Sequence, residues 1–90
     1  MIRASHILVK KRKEALRILD RINSGEPFEA IARQVSLCPS KENGGDLGFF
    51  DKGQMVKEFE DACFGAEVGE IVGPVKTDFG YHIIKITDKK

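Results

Sequence analysis

The spacing of the apolar residues changes along this chain, and that change restricts the folds open to it. Residues 2–9, Ile-Arg-Ala-Ser-His-Ile-Leu-Val, are rich in β-branched side chains and stop abruptly at Lys10. As a strand, this stretch puts Ala4, His6 and Leu8 on one face and Ser5, Ile7 and Val9 on the other. Both faces are apolar enough to predict an interior strand covered on two sides. From Lys11 to Ser24 the spacing becomes helical, with Ala15, Ile18, Leu19 and Ile22 on one stripe and Gly25 at the stop. Pro27 opens a second stripe of Phe28, Ile31, Ala32 and Val35, so the two helices form a hairpin.

Periodicity then disappears between residues 36 and 48, where Pro39, Asn43, Gly44, Gly45 and Gly48 punctuate a loop. Leu47–Phe50 reads as a short strand. Met55, Phe59, Ala62 and Cys63 mark a third helix that stops near Gly65. Ile71–Lys76 and Tyr81–Thr87 read as strands around a Thr-Asp-Phe-Gly turn, with His82, Ile84 and Ile86 on one face of the last. Pro74 makes the third strand an edge or bulged strand, because it cannot donate to a ladder. Strands at both ends with helices between them predict an α+β domain on an antiparallel sheet.

Ninety residues suffice for one domain, so residues 1–90 are read as a single unit. Fifteen basic and fourteen acidic residues give a net charge of +1, which offers no bulk attraction for nucleic acid. No apolar run approaches the ~20 residues of a membrane span, and Met1-Ile2-Arg3-Ala4-Ser5-His6 has no leader-type apolar stretch. A cytoplasmic location is the expectation, with Cys38 and Cys63 as free thiols.

Several residues are able to carry chemistry. His6 and His82 each lie in an apolar strand pattern. A lone strand histidine is ordinarily a core residue with its hydrogen bonds met. Two on adjacent strands are able to satisfy each other, one ring donating while the other accepts. Two His and two Cys match a zinc ligand count, but no C-x-x-C or H-x-x-x-H spacing supports a metal site. Cys38 lies in a loop outside any apolar stripe, which leaves a nucleophilic thiol open as an alternative. Asn43-Gly44-Gly45-Asp46-Leu47-Gly48 lacks the strand–loop–helix context of a phosphate cradle and reads as a chain reversal. Met55 and Phe59 are either core or an adaptable pocket wall. Lys10-Lys11-Arg12-Lys13 is the one charge run, a weak attractor for acidic partners.

Taken in order, these blocks resemble the parvulin family of peptidyl-prolyl cis/trans isomerases. The resemblance rests on Ser-His-Ile-Leu-Val at 5–9, Cys-Pro-Ser at 38–40 and Gly-Gly-Asp-Leu-Gly-Phe-Phe at 44–50. Gly-Gln-Met-Val at 53–56, Phe59-Glu60, Gly73-Pro74-Val75-Lys76-Thr77 and Phe79-Gly80-Tyr81-His82-Ile83-Ile84 extend it over nearly the whole chain. It implies a four-stranded antiparallel sheet packed by about four helices, in the order β-α-α-(α)-β-α-β-β. It implies an isomerase of X–Pro bonds that needs no cofactor or metal and acts as a monomer on proline-containing peptides and unfolded chains. A non-catalytic peptide-binding module or holdase with the same groove is the alternative. The resemblance places the catalytic group at His6, Cys38, Thr77 and His82, and the substrate-binding group at Leu47, Phe50, Met55, Phe59 and Phe79. Phe59, as a wall, is expected to be less than fully core. Phosphorylation-directed parvulins carry a longer basic loop than Lys10–Lys13, so no phosphate requirement is expected.

Overall fold

The computed structural model describes all residues, 1–90. Its elements are β1 (Ile2–Val9), α1 (Arg12–Asn23), α2 (Phe28–Val35), a 3₁₀ turn (Pro39–Asn43), β2 (Asp46–Phe50), α3 (Lys57–Phe64), β3 (Ile71–Thr77) and β4 (Gly80–Lys89). The four strands form one antiparallel sheet in the order β2-β1-β4-β3. This is the expected α+β architecture, with three α-helices and the 3₁₀ turn as the fourth.

The strand alternation read from the sequence divides the core into two layers. Ile7 and Val9 of β1 and Ile83 of β4 pack with Ala15 and Ile18 of α1 and Phe28, Ile31 and Ala32 of α2. Ile2 and Ala4 of β1 and Ile84 and Ile86 of β4 pack on the opposite face with Phe50, Phe59 and Cys63. β1 is thus an interior strand with helices on one side and α3 on the other. Its five central side chains from Ala4 to Leu8 have little contact with water, and only Leu8 is partly open.

Two departures from regular pairing place the site. In β2, Phe49 faces Arg3 and Asp46 faces Ser5, so β2 uses one more residue than β1 over the same stretch. Gly48, at φ 72°, sits inside this bulge. The extra residue reverses the alternation, so Leu47 and Phe50 pack toward the same layer. In β3, which is an edge strand, the register shifts between Val72 and Val75, around Pro74. Pro74 therefore meets both conditions expected of it.

Gly45 is required where the loop rejoins the sheet. Its φ is 90°, its carbonyl accepts the His6 N–H at 2.9 Å, and a Cβ there would collide with the His6 carbonyl oxygen. A glycine is the residue that lets the two backbones approach this closely.

Met55 differs from expectation. α3 begins at Lys57, with Val56 extended at its N-cap, so Met55 precedes the helix rather than lying on its stripe. The turn holding it is built by side chains on backbone: Gln54 Oε1 accepts the Asp51 N–H at 2.6 Å, and Glu60 Oε1 accepts the Gly53 N–H at 2.5 Å.

Candidate active site

The β1–β4 register sets Leu8 opposite His82 and His6 opposite Ile84, so the two imidazoles are diagonal neighbours on the α3 side of the sheet. Their rings stack at 5.1 Å with 18° between planes, and Nδ1 of His6 lies 2.9 Å from Nδ1 of His82. One ring donates and the other accepts. His82 Nε2 is 2.7 Å from Thr77 Oγ1, and Thr77 Oγ1 also accepts the Phe79 N–H at 3.2 Å. The result is a string from the Phe79 amide through Thr77 and His82 to His6. It ends at His6 Nε2, a buried atom with no partner in the protein.

Two proton arrangements close this string. The Thr77 hydroxyl donates to His82 Nε2, His82 Nδ1 donates to His6, and His6 Nε2 carries a hydrogen. In the reverse order His82 Nε2 donates to Thr77, His6 Nδ1 donates to His82, and His6 Nε2 is bare. Both need two neutral rings. Burial, reinforced by the neighbouring His82, lowers His6 from 6.5 to about 4. Burial lowers His82 as well.

Phe59, from α3, meets both rings edge-on, at 5.6 Å from His6 and 5.3 Å from His82, with interplanar angles near perpendicular. In front of this group lies a cavity of about 540 Å³, a size suited to a peptide side chain and its neighbours. Its polar lining is His6, His82, Cys38 and Gln54. The rest is apolar: Leu8, Leu37, Pro39, Leu47, Met55, Val56, Phe59 and Phe79. No lysine, arginine or carboxylate lines it.

Seven of the nine residues named from the sequence line this cavity: His6, Cys38, Leu47, Met55, Phe59, Phe79 and His82. Thr77 lies behind them, buried, and reaches the cavity through His82. Phe50 is not a lining residue. It is 2% exposed and packs behind Phe59 with ring centroids 6.1 Å apart, so it supports the wall and cannot touch a ligand. Phe59 is also more deeply set than expected: at 3% exposure it is both wall and core. No hydrogen bond joins the Cys38 thiol to either imidazole, so the polar string includes three of the four expected catalytic residues. The other thiol, Cys63, is buried in the core and pushed up to about 12 by desolvation, which makes it inert.

Sequence reasoning did not single out Leu37, Pro39, Gln54 or Val56 as lining. Each adjoins a residue that was named, and that adjacency was the available signal. Leu8 shares its strand face with His6. Ser36 carries no apolar or catalytic signature, yet it is 2% exposed and its Oγ accepts the Leu8 N–H at 3.1 Å and the Cys38 N–H at 3.4 Å.

The basic run lies elsewhere. Lys10 to Lys13 are exposed at the start of α1, where Glu14 Oε1 accepts the Lys11 N–H at 3.1 Å and places a carboxylate in the first turn. None of the four lines the cavity.

Residues 1–90 match the PPIC-type PPIase domain. The foldase protein PrsA of Geobacillus sp. (strain WCH70) is 58% identical over 90 residues, covering 99% of this chain and 33% of that protein. The chain therefore spans about a third of that relative's length. The crystal structure of the peptidylprolyl isomerase PrsA from Bacillus anthracis superposes with a TM-score of 0.97 at 49% identity, over 99% of this chain and 42% of that one. NmPin, the parvulin of Nitrosopumilus maritimus, gives a TM-score of 0.87 at 50% identity, over 97% of this chain and 95% of its own.

Proposed function

The chain belongs to the PPIC-type peptidyl-prolyl isomerase family, the parvulins, and on that premise we propose that it speeds rotation about X–Pro bonds noncovalently, without a phosphate requirement, in folding chains. The observation that carries this reading is an apolar cavity whose polar members include a neutral, mutually bonded imidazole pair.

The barrier to be lowered is ~18–20 kcal/mol and comes from conjugation between the amide nitrogen and the carbonyl. No bond forms or breaks, so the catalyst must favour the twisted amide over both planar forms. Leu47, Met55 and Phe59 offer the proline ring a dry wall, fixing one side of the rotating bond. Exclusion of water there weakens the hydration that favours the polar planar amide. The histidine string then acts as an adjustable polar partner, since its proton order reverses without ionisation. Each 1.4 kcal/mol of preference for the twisted form is worth tenfold in rate.

The absence of cations from the lining supports the lack of a phosphate requirement, since a dianion needs converging donors. The exposed Lys10–Lys13 run supports only a weak, salt-screened attraction for acidic residues on a client. That the Geobacillus relative is named a foldase supports unfolded chains as substrates. The exposed apolar rim of Leu37, Val56 and Phe79 fits such clients and would equally serve a holdase. Exchange NMR on an unphosphorylated X–Pro tetrapeptide separates the two. Catalytic amounts of the protein should broaden or cross-correlate the cis and trans signals. Binding without faster exchange would leave a holdase.

A further inference from the structure

We propose that Ser36 is a positioning residue for the isomerase site, holding the Leu37–Cys38 side of the cavity in register with the histidine strand. This rests on the isomerase reading above for its kinetic part only. The pairing of β1 on its outer side runs out before the strand does. β2 pairs with β1 from Ile2 to Ser5, and the last main-chain bond from the β2 end of the chain is the His6 N–H to Gly45. Leu8 lies two residues further on, with its N–H and carbonyl pointing to the same uncovered side. Residues 36–38 take the place of the missing strand there. The Leu37 N–H donates to the Leu8 carbonyl at 2.9 Å, and the Leu8 N–H donates to Ser36 Oγ at 3.1 Å. The same oxygen accepts the Cys38 N–H at 3.4 Å. A side-chain hydroxyl thus completes a ladder rung that no backbone carbonyl supplies.

The rung joins the two strips of chain that form one side of the cavity. His6 and Leu8 come from β1, and Leu37 and Cys38 from the substitute segment. Leu47, Met55 and Phe59, which offer the proline its wall, hang from β2, the following turn and α3, and none of them touches Ser36 by hydrogen bond. Loosening the rung should therefore shift Cys38 relative to the histidines while leaving the proline wall in place. Substrate binding should survive and the twisted amide should lose its fit. Displacements on the order of 1 Å cost rate steeply in such sites.

The test compares Ser36→Ala with Ser36→Thr, which keeps the acceptor oxygen. Ile18→Val, in the core layer on the opposite face, serves as a control for general loss of stability. All are assayed well below their melting temperatures. Ser36→Ala is expected to lower kcat on the order of tenfold or more with KM within about twofold. Ser36→Thr is expected to restore most of the rate, and Ile18→Val to keep it. In parallel, hydrogen exchange at the Leu8 and Cys38 amides should quicken on the order of tenfold in Ser36→Ala, with the Ile83 and Ile84 amides unchanged. The exchange arm needs no activity, so if the wild-type domain proves not to be an isomerase, the positioning role is still decided by those two amides. Unchanged protection at Leu8 and Cys38 overturns the proposal, as does full kcat in Ser36→Ala. A loss that appears equally in Ile18→Val, or that Ser36→Thr fails to relieve, also overturns it.

Discussion

Acidification should destabilise this domain through its histidines, at a pH where most carboxylate effects have not begun. The two rings share one hydrogen bond between Nδ1 atoms 2.9 Å apart, which requires a bare nitrogen on one side. Charging both rings would set N–H against N–H in a buried layer. In the native state His6 binds its proton only near pH 4, and His82 also below its ordinary value. In the unfolded chain both titrate near 6.5. Between these limits the unfolded state binds more protons than the native one, so stability rises with pH across that window and is lost as pH falls through it. A shift from 6.5 to about 4 for His6 corresponds to about 3 kcal/mol, with His82 adding to it. That is a large share of the ~5–15 kcal/mol by which domains are usually stable.

The assay is urea unfolding followed by far-UV circular dichroism at intervals from pH 7.5 to 4.5. Glu26 and Asp46 are both held low by hydrogen bonds from Arg21 and Arg3. Their losses set in only around the ordinary carboxylate values of 4.5 and 3.8, so most of the fall between pH 6.5 and about 5 belongs to the imidazoles. The free energy of unfolding should be nearly level between pH 7.5 and 7 and fall steadily below 6.5. His6→Phe, which cannot ionise, should flatten most of the slope. A wild-type curve that stays level from 6.5 to 4.5 would refute the buried neutral pair.

Three further outcomes are expected. Phe59→Ala should lower kcat/KM and also cost the ~3–5 kcal/mol of a buried phenylalanine, since the ring is core as well as wall; full activity per folded molecule would assign the ring to the core alone. Cys38→Ser and Cys38→Asp should each keep substantial activity, because the thiol is outside the hydrogen-bonded string, and a trapped acyl adduct on Cys38 would overturn the noncovalent reading. Matched Ser-Pro and phosphoSer-Pro peptides should differ little in kcat/KM at physiological salt, and a preference for phosphate above roughly 100-fold, or ~2.7 kcal/mol, would sink that expectation.

The fold was legible where side-chain period alone decides it. Strand β1 alternates strictly, and each of its faces found its own layer, Ala4 with Phe50 and Phe59, Ile7 with Ile18 and Phe28. Pro74 announced an edge strand by what it lacks, an N–H. Period fails where a single residue breaks it. The β2 bulge at Gly48 reverses the alternation, so Leu47 faces the cavity while Phe50, three residues on, lies behind it. Met55 stands four before Phe59 and imitates a helical stripe, but Gln54 and Glu60 bond to backbone N–H groups and hold it in a turn.

The candidate site divides along the same physical line. His6 and His82 were legible because an imidazole is costly to bury alone, so two in apolar strands demand each other. Thr77 and Ser36 were not legible on those grounds. A small hydroxyl is cheap to place anywhere, and its meaning lies in the partner it meets. Thr77 meets His82 five residues on, across the β3–β4 turn, so its role follows once the hairpin is drawn. Ser36 meets Leu8 across 28 residues, at the point where β2 leaves β1 uncovered. That gap depends on the bulge, the Gly45 crossing and the length of the 3₁₀ turn together. A polar residue whose duty is to complete another strand's ladder becomes visible only when every neighbour of that strand has been placed.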